Sequence, residues 1–397
     1  MLKDIHITAK QFKSLYHDQL FEDVLPFWLN HSLDGEYGGY FTSLDREGLV
    51  FDTDKFIWLQ CRQVWTFAKM YNSVSADPMW YEAAFHGASF LQSYGRDRKG
   101  HWYFSLNQQG KPLVQPYNIF SDCFAAMAFG QLYQATADPL HEQIARHTFQ
   151  NILDRKDNPK GRYSKDYPGT RSLKSFALPM ILCNLVLELE SVLDSDVVES
   201  TIEEGIIQVM DVFYQPDLLD GVILEHVTRD GLFSDSYDGR LLNPGHVLEA
   251  MWFVMDLAVR KNDQALIEKA IGICLHTLQL GWDQKFGGLF YFLDVKGHPT
   301  QQLEWDQKLW WVHLEALVAT LKGYLLTRND AMWDWFVKLH EYTQKHFPDP
   351  EFGEWYGYLN RRGEVLLPLK GGKWKGCFHL PRGLWQIYSM LEQLENK

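Results

Sequence analysis

One unit recurs six times along this chain, and its period constrains the fold more than any other feature of the sequence. Each copy begins with a glycine and aromatic residues, passes a polar turn and a second short apolar run, and continues into a long apolar segment. The copies begin at Gly39, Gly100, Gly161, Gly221, Gly288 and Gly353, so their spacings are 60 to 67 residues. Such self-similarity predicts one architecture built from repeated supersecondary units.

The start of each copy predicts a short β-hairpin. Aromatic residues alternate with small or polar ones on both sides of a polar turn, as in GEWYGYLNRRGEVLL from Gly353. This alternation around a glycine-containing turn is typical of hairpins. The copy at Gly161, GRYSKDYPGTRSL, has the weakest pattern.

Two kinds of predicted helix alternate between the hairpins. Segments that mix charged residues with one apolar stripe are typical of helices with one solvated side, and they run over 11–30, 78–94, 139–153, 196–214, 262–281 and 330–346. Segments that are apolar nearly all round are typical of helices enclosed by a second layer, and they run over 57–71, 119–134, 173–189, 246–260, 309–326 and 377–394. Six outer and six inner helices predict an all-α, (α/α)6 barrel. Because the sequence has no Pro-, Ser- or Gly-rich linker, we predict a single domain over 1–397.

Ionisable residues interrupt the first turns of the inner helices. His246-x-x-Glu249 matches His379-x-x-Arg382, Leu-Glu315-Ala matches Leu-Glu249-Ala, and Arg62 falls near the Glu249 position. Asp122 fits the same register on its own helix. Residues three apart on a helix share a face, and equivalent positions in a ring point to one cavity. We therefore predict that these residues line a shared pore.

A structural role is the alternative for each of these residues. A lone histidine at a helix start is usually a cap or a satisfied, half-buried side chain, and Glu249 and Glu315 can form structural ion pairs with Arg62 or Arg382. Two histidines at one register favour a functional role, because buried charge is costly where it is not used. His313 lies two residues from Glu315 and faces the other side of the helix, so only one of the two is expected in the pore.

Charge and cysteine content exclude several classes of protein. The formal net charge is −13, with Lys and Arg scattered among Asp and Glu, so we expect no nucleic-acid partner. The N-terminus lacks a secretory signal pattern, and the apolar tract 176–187 is shorter than a membrane span. The five cysteines form no CxxC pair and lie in apolar segments. Buried, reduced thiols indicate a reducing compartment, so we predict a soluble, cytoplasmic protein.

Five motifs, in order along nearly the whole chain, resemble the N-acylglucosamine 2-epimerase family and are most similar to its bacterial members. They are DTDKFIWLQCRQVWTF (52–67), QPYNIFSDCFAAMAF (115–129), RLLNPGHVLEAMWF (240–253), QQLEWDQKLWWVHLEAL (301–317) and GGKWKGCFHLPR (371–382). The resemblance implies an (α/α)6 barrel. It also implies an isomerase that interconverts N-acetyl-D-glucosamine and N-acetyl-D-mannosamine.

The family's functional residues carry over by position. The resemblance implies that His246 and His379 are the acid/base pair, that Arg62 and Glu315 are needed in the site, and that Glu249 supports its histidine. Two imidazoles suit this reaction, since C2 loses a proton on one face and gains one on the other, and imidazole titrates near neutrality. Arg62 is the natural partner for an enediolate oxygen. We also assign substrate binding to Asn118, Asp122, Trp311 and Arg382.

Members of this family commonly need ATP as an activator that is not consumed, and the resemblance also implies a homodimer. The stretch 155–171 is the densest basic segment, and 371–376 combines glycines with lysines. We predict a nucleotide site formed by Lys156, Lys160, Lys165, Arg171 and Lys373, the alternative being solvated loops.

Other functions remain open on the sequence. An aldose–ketose isomerase or an epimerase of unmodified sugars would use the same two histidines. A glycoside hydrolase would rely on carboxylates such as Asp122, Glu249 and Glu315, and a non-catalytic binding module would use neither set. His246 and Glu249 have metal-ligand spacing, but we find no third ligand motif and predict no metal.

Overall fold

A computed structural model describes residues 2–165, 167 and 169–395, with side chains from residue 8 onward. Thirteen helices occur in this part of the chain. They are α1 (Leu2–Asp18), α2 (Leu25–His31), α3 (Ile57–Ser73), α4 (Pro78–Tyr94), α5 (Ile119–Thr136), α6 (Pro139–Arg155), α7 (Ala177–Glu188), α8 (Ser195–Ile207), α9 (Pro244–Lys261), α10 (Gln264–Gly281), α11 (Trp310–Thr327), α12 (Asp330–His346) and α13 (His379–Glu395). A π-helical turn, Gln19–Val24, joins α1 to α2, and a second, Gln208–Val212, extends α8.

The helices form two concentric layers, which confirms the (α/α)6 barrel. The inner helices α3, α5, α7, α9, α11 and α13 contact one another in chain order, and α4, α6, α8, α10 and α12 each pack outside the inner helix that precedes them. The first outer helix, α1, packs against α13. The two ends of the chain therefore meet and close the ring.

Capping residues set the starts of several helices. The side chains of Asp77 and Asp138 accept hydrogen bonds from the first turns of α4 and α6, each just before a proline at the first helical position. Asn118 and Asn243 cap α5 and α9 in the same way. Such caps satisfy N–H groups that have no partner inside the helix. The bounds predicted for α4 and α12 agree with the structure.

The strands are short and gather at one end of the barrel. They are β1 (Ser43–Leu44), β2 (Val50–Asp52), β3 (Lys55–Phe56), β4 (Ser105–Leu106), β5 (Pro112–Val114), β6 (Leu173–Ser175), β7 (Tyr214–Gln215), β8 (Val222–Ile223), β9 (His226–Thr228), β10 (Leu241–Leu242), β11 (Leu293–Asp294), β12 (Lys308–Leu309), β13 (Tyr358–Leu359) and β14 (Val365–Leu367). The hairpins predicted for the first, second and sixth copies are β1–β2, β4–β5 and β13–β14.

The predictions of hairpins at Gly161, Gly221 and Gly288 were wrong. The copy at Gly161 begins with a 3₁₀ turn, Gly161–Tyr163, and residues 173–175, predicted as helix, form β6 and pair with β9 of the next copy. In the copy at Gly221 β8 pairs with the preceding β7, and in the copy at Gly288 β11 pairs with β10 of the copy before. In the same way β3 pairs with β4, β10 with β11 and β12 with β13. A strand of two or three residues is not stable alone. Pairing between neighbouring copies therefore stabilises these strands and links the units.

Backbone hydrogen bonds extend this linkage across the ends of the chain. The N–H groups of Lys370 and Gly371, which precede the last inner helix, both donate to the carbonyl oxygen of Leu44 in the first copy, at 3.1 and 3.2 Å. All five cysteines are buried and free. None of the described helices is long and apolar enough to cross a bilayer.

Candidate active site

Charged residues of four inner helices occupy one level of the barrel. Arg62, Glu249 and Glu315 each lie six residues beyond the N-cap of their helices, α3, α9 and α11. Arg382 follows His379 by three residues, as Glu249 follows His246. Because equal positions from the helix start give equal height and facing in a ring of similar helices, Arg62, Glu249 and Glu315 converge. Arg382 lies nearer the start of its own helix, and its hydrogen bonds to both glutamates place it at the same level.

Arg382 joins the two glutamates. Its Nη2 donates to Glu249 Oε1 at 2.6 Å and to Glu315 Oε1 at 2.7 Å, and all three residues are buried. Burial of two carboxylates is tolerable because each is hydrogen-bonded to a cation. Ligand atoms of Glu249, Glu315 and His379 lie within 4.8 Å of one another. A divalent cation there would have to displace the Arg382 guanidinium.

Glu315 also fixes the orientation of His379. The Nδ1–H of His379 donates to Glu315 Oε1 at 2.7 Å, while Trp252 Nε1 donates to Oε2 at 2.8 Å. Sequence analysis had left the choice between Glu315 and His313 open, apart from the family resemblance. His313 lies away from this cluster: its Nδ1–H donates to the Leu309 carbonyl, and its Nε2 accepts from the Leu289 N–H. His313 therefore has a structural role.

His246 is paired with a glutamate that sequence analysis missed. The Nδ1–H of His246 lies 3.0 Å from both carboxylate oxygens of Glu225, which is only 7% exposed. Glu225 stands between β8 and β9, where its N–H donates to the Leu241 carbonyl. The one available signal was a carboxylate inside the apolar run GVILEHV. The predicted partner, Glu249, binds Arg382 instead.

Trp311 lies beside both histidines. Its ring centroid is 5.3 Å from that of His246 and 5.7 Å from that of His379. Among the described residues, none hydrogen-bonds to the Nε2 of either histidine. Because each Nδ1 is held by a carboxylate, each Nε2 is the atom free to exchange a proton with a bound molecule.

Arg62 lies among aromatic rings near this pair. Its guanidinium carbon is 4.4, 3.9 and 4.7 Å from the ring centroids of Trp58, Phe124 and Phe378. Its Nε is buried without a hydrogen-bond partner among the described groups. The cation is thus held in place by ring stacking, and its N–H groups remain available to a ligand oxygen.

The two histidines have different electrostatic surroundings. Burial lowers the pKa of His246, but the charge of Glu225 and its hydrogen bond outweigh burial, so the pKa is raised overall. Burial, and then the positive charge of Arg62, hold the pKa of His379 well below its usual value. Burial also lowers the pKa of Arg62, to about 9. The two pKa values are shifted in opposite directions, so a proton resides on His246 in preference to His379. This suits His246 to act as the acid and His379 as the base.

Asp122, predicted to bind substrate, lies away from this cluster. Its Oδ1 accepts from Arg155 Nη1 at 3.2 Å, and Arg155 belongs to the outer helix α6. Counted from the N-cap of α5, Phe124 holds the position that Glu249 holds on α9, and Phe124 is the residue that contacts Arg62. The predicted register was one residue out, which turns a helical side chain by about 100°.

Asn118 is the N-cap of α5, and its Oδ1 accepts from the Phe120 N–H at 2.9 Å. Its observed role is therefore that of a cap. Glu249 and Arg382, as described above, hold each other inside the barrel. Of the four residues assigned to substrate binding, Trp311 is the one whose ring lies beside both histidines.

The predicted nucleotide residues lie in two places. Lys160, Lys165 and Arg171 are exposed in the loop after α6, whereas Lys156 binds Glu204 at 2.6 Å. Lys373 is also exposed, and its Nζ lies 5.2 Å from the Trp374 ring, which contacts Trp58. Since Trp58 stacks on Arg62, Lys373 lies near the mouth of the pore.

Taken together, these side chains supply two imidazoles with free Nε2 atoms, a guanidinium that can hold an oxyanion, and an aromatic wall. Both buried carboxylates of the cluster are already engaged by Arg382 and His379. The arrangement suits the transfer of a proton to or from carbon next to a carbonyl group. It fits less well with a hydrolase that needs two freely accessible carboxylates.

Comparison with known proteins gives matches over almost the whole chain. Residues 39–380 match the family profile described as N-acylglucosamine 2-epimerase (GlcNAc 2-epimerase). The N-acylglucosamine 2-epimerase of Bos taurus is 39% identical over 380 residues, covering 94% of this chain and 89% of that protein.

Solved structures share the fold at lower identity. The cellobiose 2-epimerase of Spirochaeta thermophila DSM 6192 superposes with a TM-score of 0.83 at 22% identity, covering 97% of this chain and 98% of that one. A D-mannose isomerase gives a TM-score of 0.81 at 18% identity, covering 96% and 98%.

Proposed function

This chain belongs to the N-acylglucosamine 2-epimerase family and is a carbohydrate epimerase, and from that premise we propose that it interconverts N-acetyl-D-glucosamine and N-acetyl-D-mannosamine. The two sugars differ only in configuration at C2. The observation that best supports the proposal is the pair of glutamate-held histidines whose rings both lie beside Trp311.

The reaction begins from the ring-opened sugar, because only an open chain places a carbonyl at C1. The carbonyl acidifies the C2 proton, and the Nε2 of one histidine removes it to leave an enolate whose negative charge lies on the C1 oxygen. Arg62 donates to this enolate oxygen, where charge develops. The Nε2 of the other histidine then returns a proton to the opposite face of C2, and C2 is inverted.

The difference in pKa between the two histidines decides which of them acts first as the base. In the free enzyme His379 is the base and His246 the acid, because the form with the proton on His246 is more populated than the form with the proton on His379. The epimer whose C2–H faces His379 reacts with this more populated form. Turnover leaves the proton on His379 and His246 neutral. This second form accepts the other epimer, so the reaction is reversible.

The direct test is an epimerase assay on N-acetyl-D-glucosamine in heavy water, with ATP present. We expect the mannosamine product to carry one deuterium at C2. We expect His246→Ala and His379→Ala each to abolish epimerisation while one of them still exchanges the C2 proton of a single epimer, since one base remains. An unmodified aldose is assayed in parallel, because C2 of an N-acetyl sugar carries nitrogen and cannot become a ketone. A ketose labelled at C1 from that aldose would instead identify an aldose–ketose isomerase. Near-normal activity in both variants would contradict the proposed chemistry.

We also propose that ATP activates the enzyme without being consumed, through the exposed cations Lys160, Lys165 and Arg171. Support comes from their clustering in an acidic chain and from the family resemblance. A Lys160→Ala/Lys165→Ala variant should need a higher ATP concentration for half-maximal activity. Lys373→Ala, which changes the other predicted segment, serves as the comparison. If only Lys373→Ala shifts the ATP dependence, the site lies at the pore mouth instead.

Two further properties are proposed on indirect support. The five free, buried thiols support a reducing compartment, so we propose the cytoplasm. The family resemblance supports a homodimer.

A further inference from the structure

The outer helix α4 carries the least charge of α4, α6, α8, α10 and α12. Its 17 residues include one Asp, Glu, Lys or Arg residue, Glu82, whereas α10 carries two, α6 and α8 each carry four and α12 carries five. Two copies of a chain with a net charge of −13 repel each other. They can approach most closely through a surface with little charge, and α4 provides such a surface.

The solvent side of α4 has an aromatic half and a small half. Tyr81, Phe85, Ser89 and Ser93 are spaced by four residues and so form one ridge along the helix. The rings of Tyr81 and Phe85 stack, with centroids 5.8 Å apart and planes at 18°, and Phe85 is 43% exposed. Large side chains therefore occupy the N-terminal half of the ridge and small ones the C-terminal half.

The two serines offer a surface without unsatisfied polar groups. Ser89 Oγ donates to the Phe85 carbonyl at 2.8 Å, and Ser93 Oγ donates to the Ser89 carbonyl at 2.9 Å. Their hydroxyls are thus turned back onto the helix. An aromatic ring placed over them would desolvate no donor that lacks a partner.

A groove of about 510 Å³ lies along this face of the helix. Aromatic rings of α4 and the loop residue Tyr37 form much of its wall, and its lining consists of Tyr37, Gly38, Tyr81, Glu82, Phe85, His86, Ser89, Phe90, Ser93 and Tyr94. Tyr37 and Tyr94 are 37% and 45% exposed. The groove is therefore largely aromatic, with Glu82 and His86 as its ionisable residues, and it is open and large enough to accept side chains from outside the chain.

We propose that this face binds a second copy of the same chain, with the two α4 helices antiparallel about a two-fold axis. In that arrangement Tyr81 and Phe85 of each copy enter the groove over Ser89 and Ser93 of the other. A two-fold interface requires a self-complementary patch. When the two α4 ridges run antiparallel, the large side chains of each copy face the small side chains of the other, so the ridge meets that requirement. The i, i+4 ridge is also the one that packs in the commonest helix–helix contacts. The inference rests on the proposed homodimer and assigns its surface.

Sedimentation velocity of the full-length protein over a range of micromolar concentrations tests the assignment. Phe85→Lys places a cation one turn from Glu82, which favours the isolated helix, but buries that cation at the proposed interface. We expect a dissociation constant raised by more than about tenfold, as for loss of a central aromatic anchor. Ser93→Trp fills the groove and should have the same effect.

The matched control is Ile207→Lys on the outer helix α8. Ile207 is 52% exposed and lies one turn after Glu203 and Glu204, so the change in charge and exposure is similar. A control that dimerises like the wild type supports the assignment, provided that Phe85→Lys and Ser93→Trp do not. If both α4 variants dimerise like the wild type, the assigned surface is wrong and the proposed homodimer is unaffected. If the wild type is a monomer, the surface and the homodimer are both wrong. The epimerase assay is independent of either result.

Discussion

At the scale of single residues, the site is defined by which carboxylate holds which imidazole. Glu225 binds His246 and has no cation beside it among its described contacts, whereas Glu315 is shared by His379 and Arg382. A shared carboxylate stabilises an imidazolium less than an unshared one, because Arg382 already offsets its charge. The same residue pair, His and Glu, therefore gives an acid in one place and a base in the other.

Replacing Glu225 with Gln tests this distinction. We expect kcat/KM to fall by about 10²-fold, since an amide does not hold the Nδ1–H tautomer of His246 as a carboxylate does. Loss of the negative charge lowers the pKa of His246. The protonated acid then disappears at a lower pH, so the alkaline limb of the kcat/KM profile moves to lower pH.

The pH profile separates this role from a purely structural one. Glu304→Gln, at an exposed glutamate, is the matched control and should leave the profile unchanged. An alkaline limb that keeps its position in Glu225→Gln, with activity reduced by any amount, would mean that Glu225 does not set the ionisation of His246.

Arg62→Lys tests the oxyanion role of the guanidinium. Lysine keeps the charge but loses the planar stacking on Trp58, Phe124 and Phe378, so the cation is no longer fixed. We expect kcat to fall by about 10²- to 10³-fold. Arg96→Lys is the control, because Arg96 also stacks on a ring, that of Trp102, on a different part of the barrel. Equal losses of activity in both variants would argue against a specific role.

At the scale of elements, three of the glycine-rich turns that begin the copies each contain a buried ion pair of the same kind. Lys55 Nζ donates to Asp34 Oδ2 at 2.7 Å and to the Gly38 carbonyl. The same arrangement of lysine, aspartate and glycine carbonyl recurs later in the chain, as Lys308, Asp283 and Gly288 and as Lys370, Asp349 and Gly353. Each lysine precedes or lies near the start of an inner helix. The pair thus fixes the loop from which that helix begins.

Lys55→Met should destabilise the protein more than an ordinary substitution. It leaves Asp34, which is 1% exposed, without its cation, and breaking a buried pair on one side costs about 3–5 kcal/mol. The free energy of unfolding in urea measures this loss. Adding Asp34→Asn should recover part of it, since no uncompensated charge remains.

Lys111→Met, at an exposed lysine, provides the control and should change the free energy of unfolding little. If the double variant is as unstable as Lys55→Met alone, the cost comes from packing and not from the unpaired carboxylate.

At the scale of the whole molecule, buried neutral histidines make stability depend on pH. Burial lowers the pKa of His313 to about 3 and that of His340 to about 4. His340 lies in α12 and accepts from or donates to the Tyr16 hydroxyl of α1 at 2.9 Å, so it joins the first and last outer helices. His313 holds the turn before β11 through Leu289.

We expect the free energy of unfolding to fall between pH 6.5 and pH 4. In this window the unfolded chain binds a proton at each of these histidines and the folded chain does not, so lowering the pH favours unfolding. Each contributes about 1.4 kcal/mol per pH unit, or about 2 kcal/mol at pH 5. His246, whose pKa is raised, contributes in the opposite sense, because its protonated form is stabilised by folding.

Urea unfolding at several pH values measures this slope. His340→Gln removes one titrating group, so its slope should be smaller by about one proton whatever its stability at neutral pH. An unchanged slope in that variant would show that His340 is not neutral in the folded protein.

The sequence by itself determined the number of units, the two layers of helices and the level at which the ionisable residues meet, because hydrophobic periodicity and repeat spacing are local properties that every copy carries. His246, His379, Arg62, Glu249 and Arg382 could all be placed from that register, whereas the choice between Glu315 and His313 stayed open apart from the family resemblance. Strand pairing in the weak third copy could not be predicted in this way, because its turn sequence does not reveal that β6 pairs with a strand more than 50 residues later.

Only the tertiary structure decided which charges pair. Glu225 reaches His246 because the segment between β8 and β9 is hydrogen-bonded to Leu241, just before α9. No sequence spacing encodes this contact. The direction of the Asp122 side chain depends on where α5 begins, and the register predicted from the sequence was one residue out. A shift of one residue turns the side chain from the pore to the outer layer. Pairing of charges depends on distances between elements, and these are fixed only when the whole ring is closed.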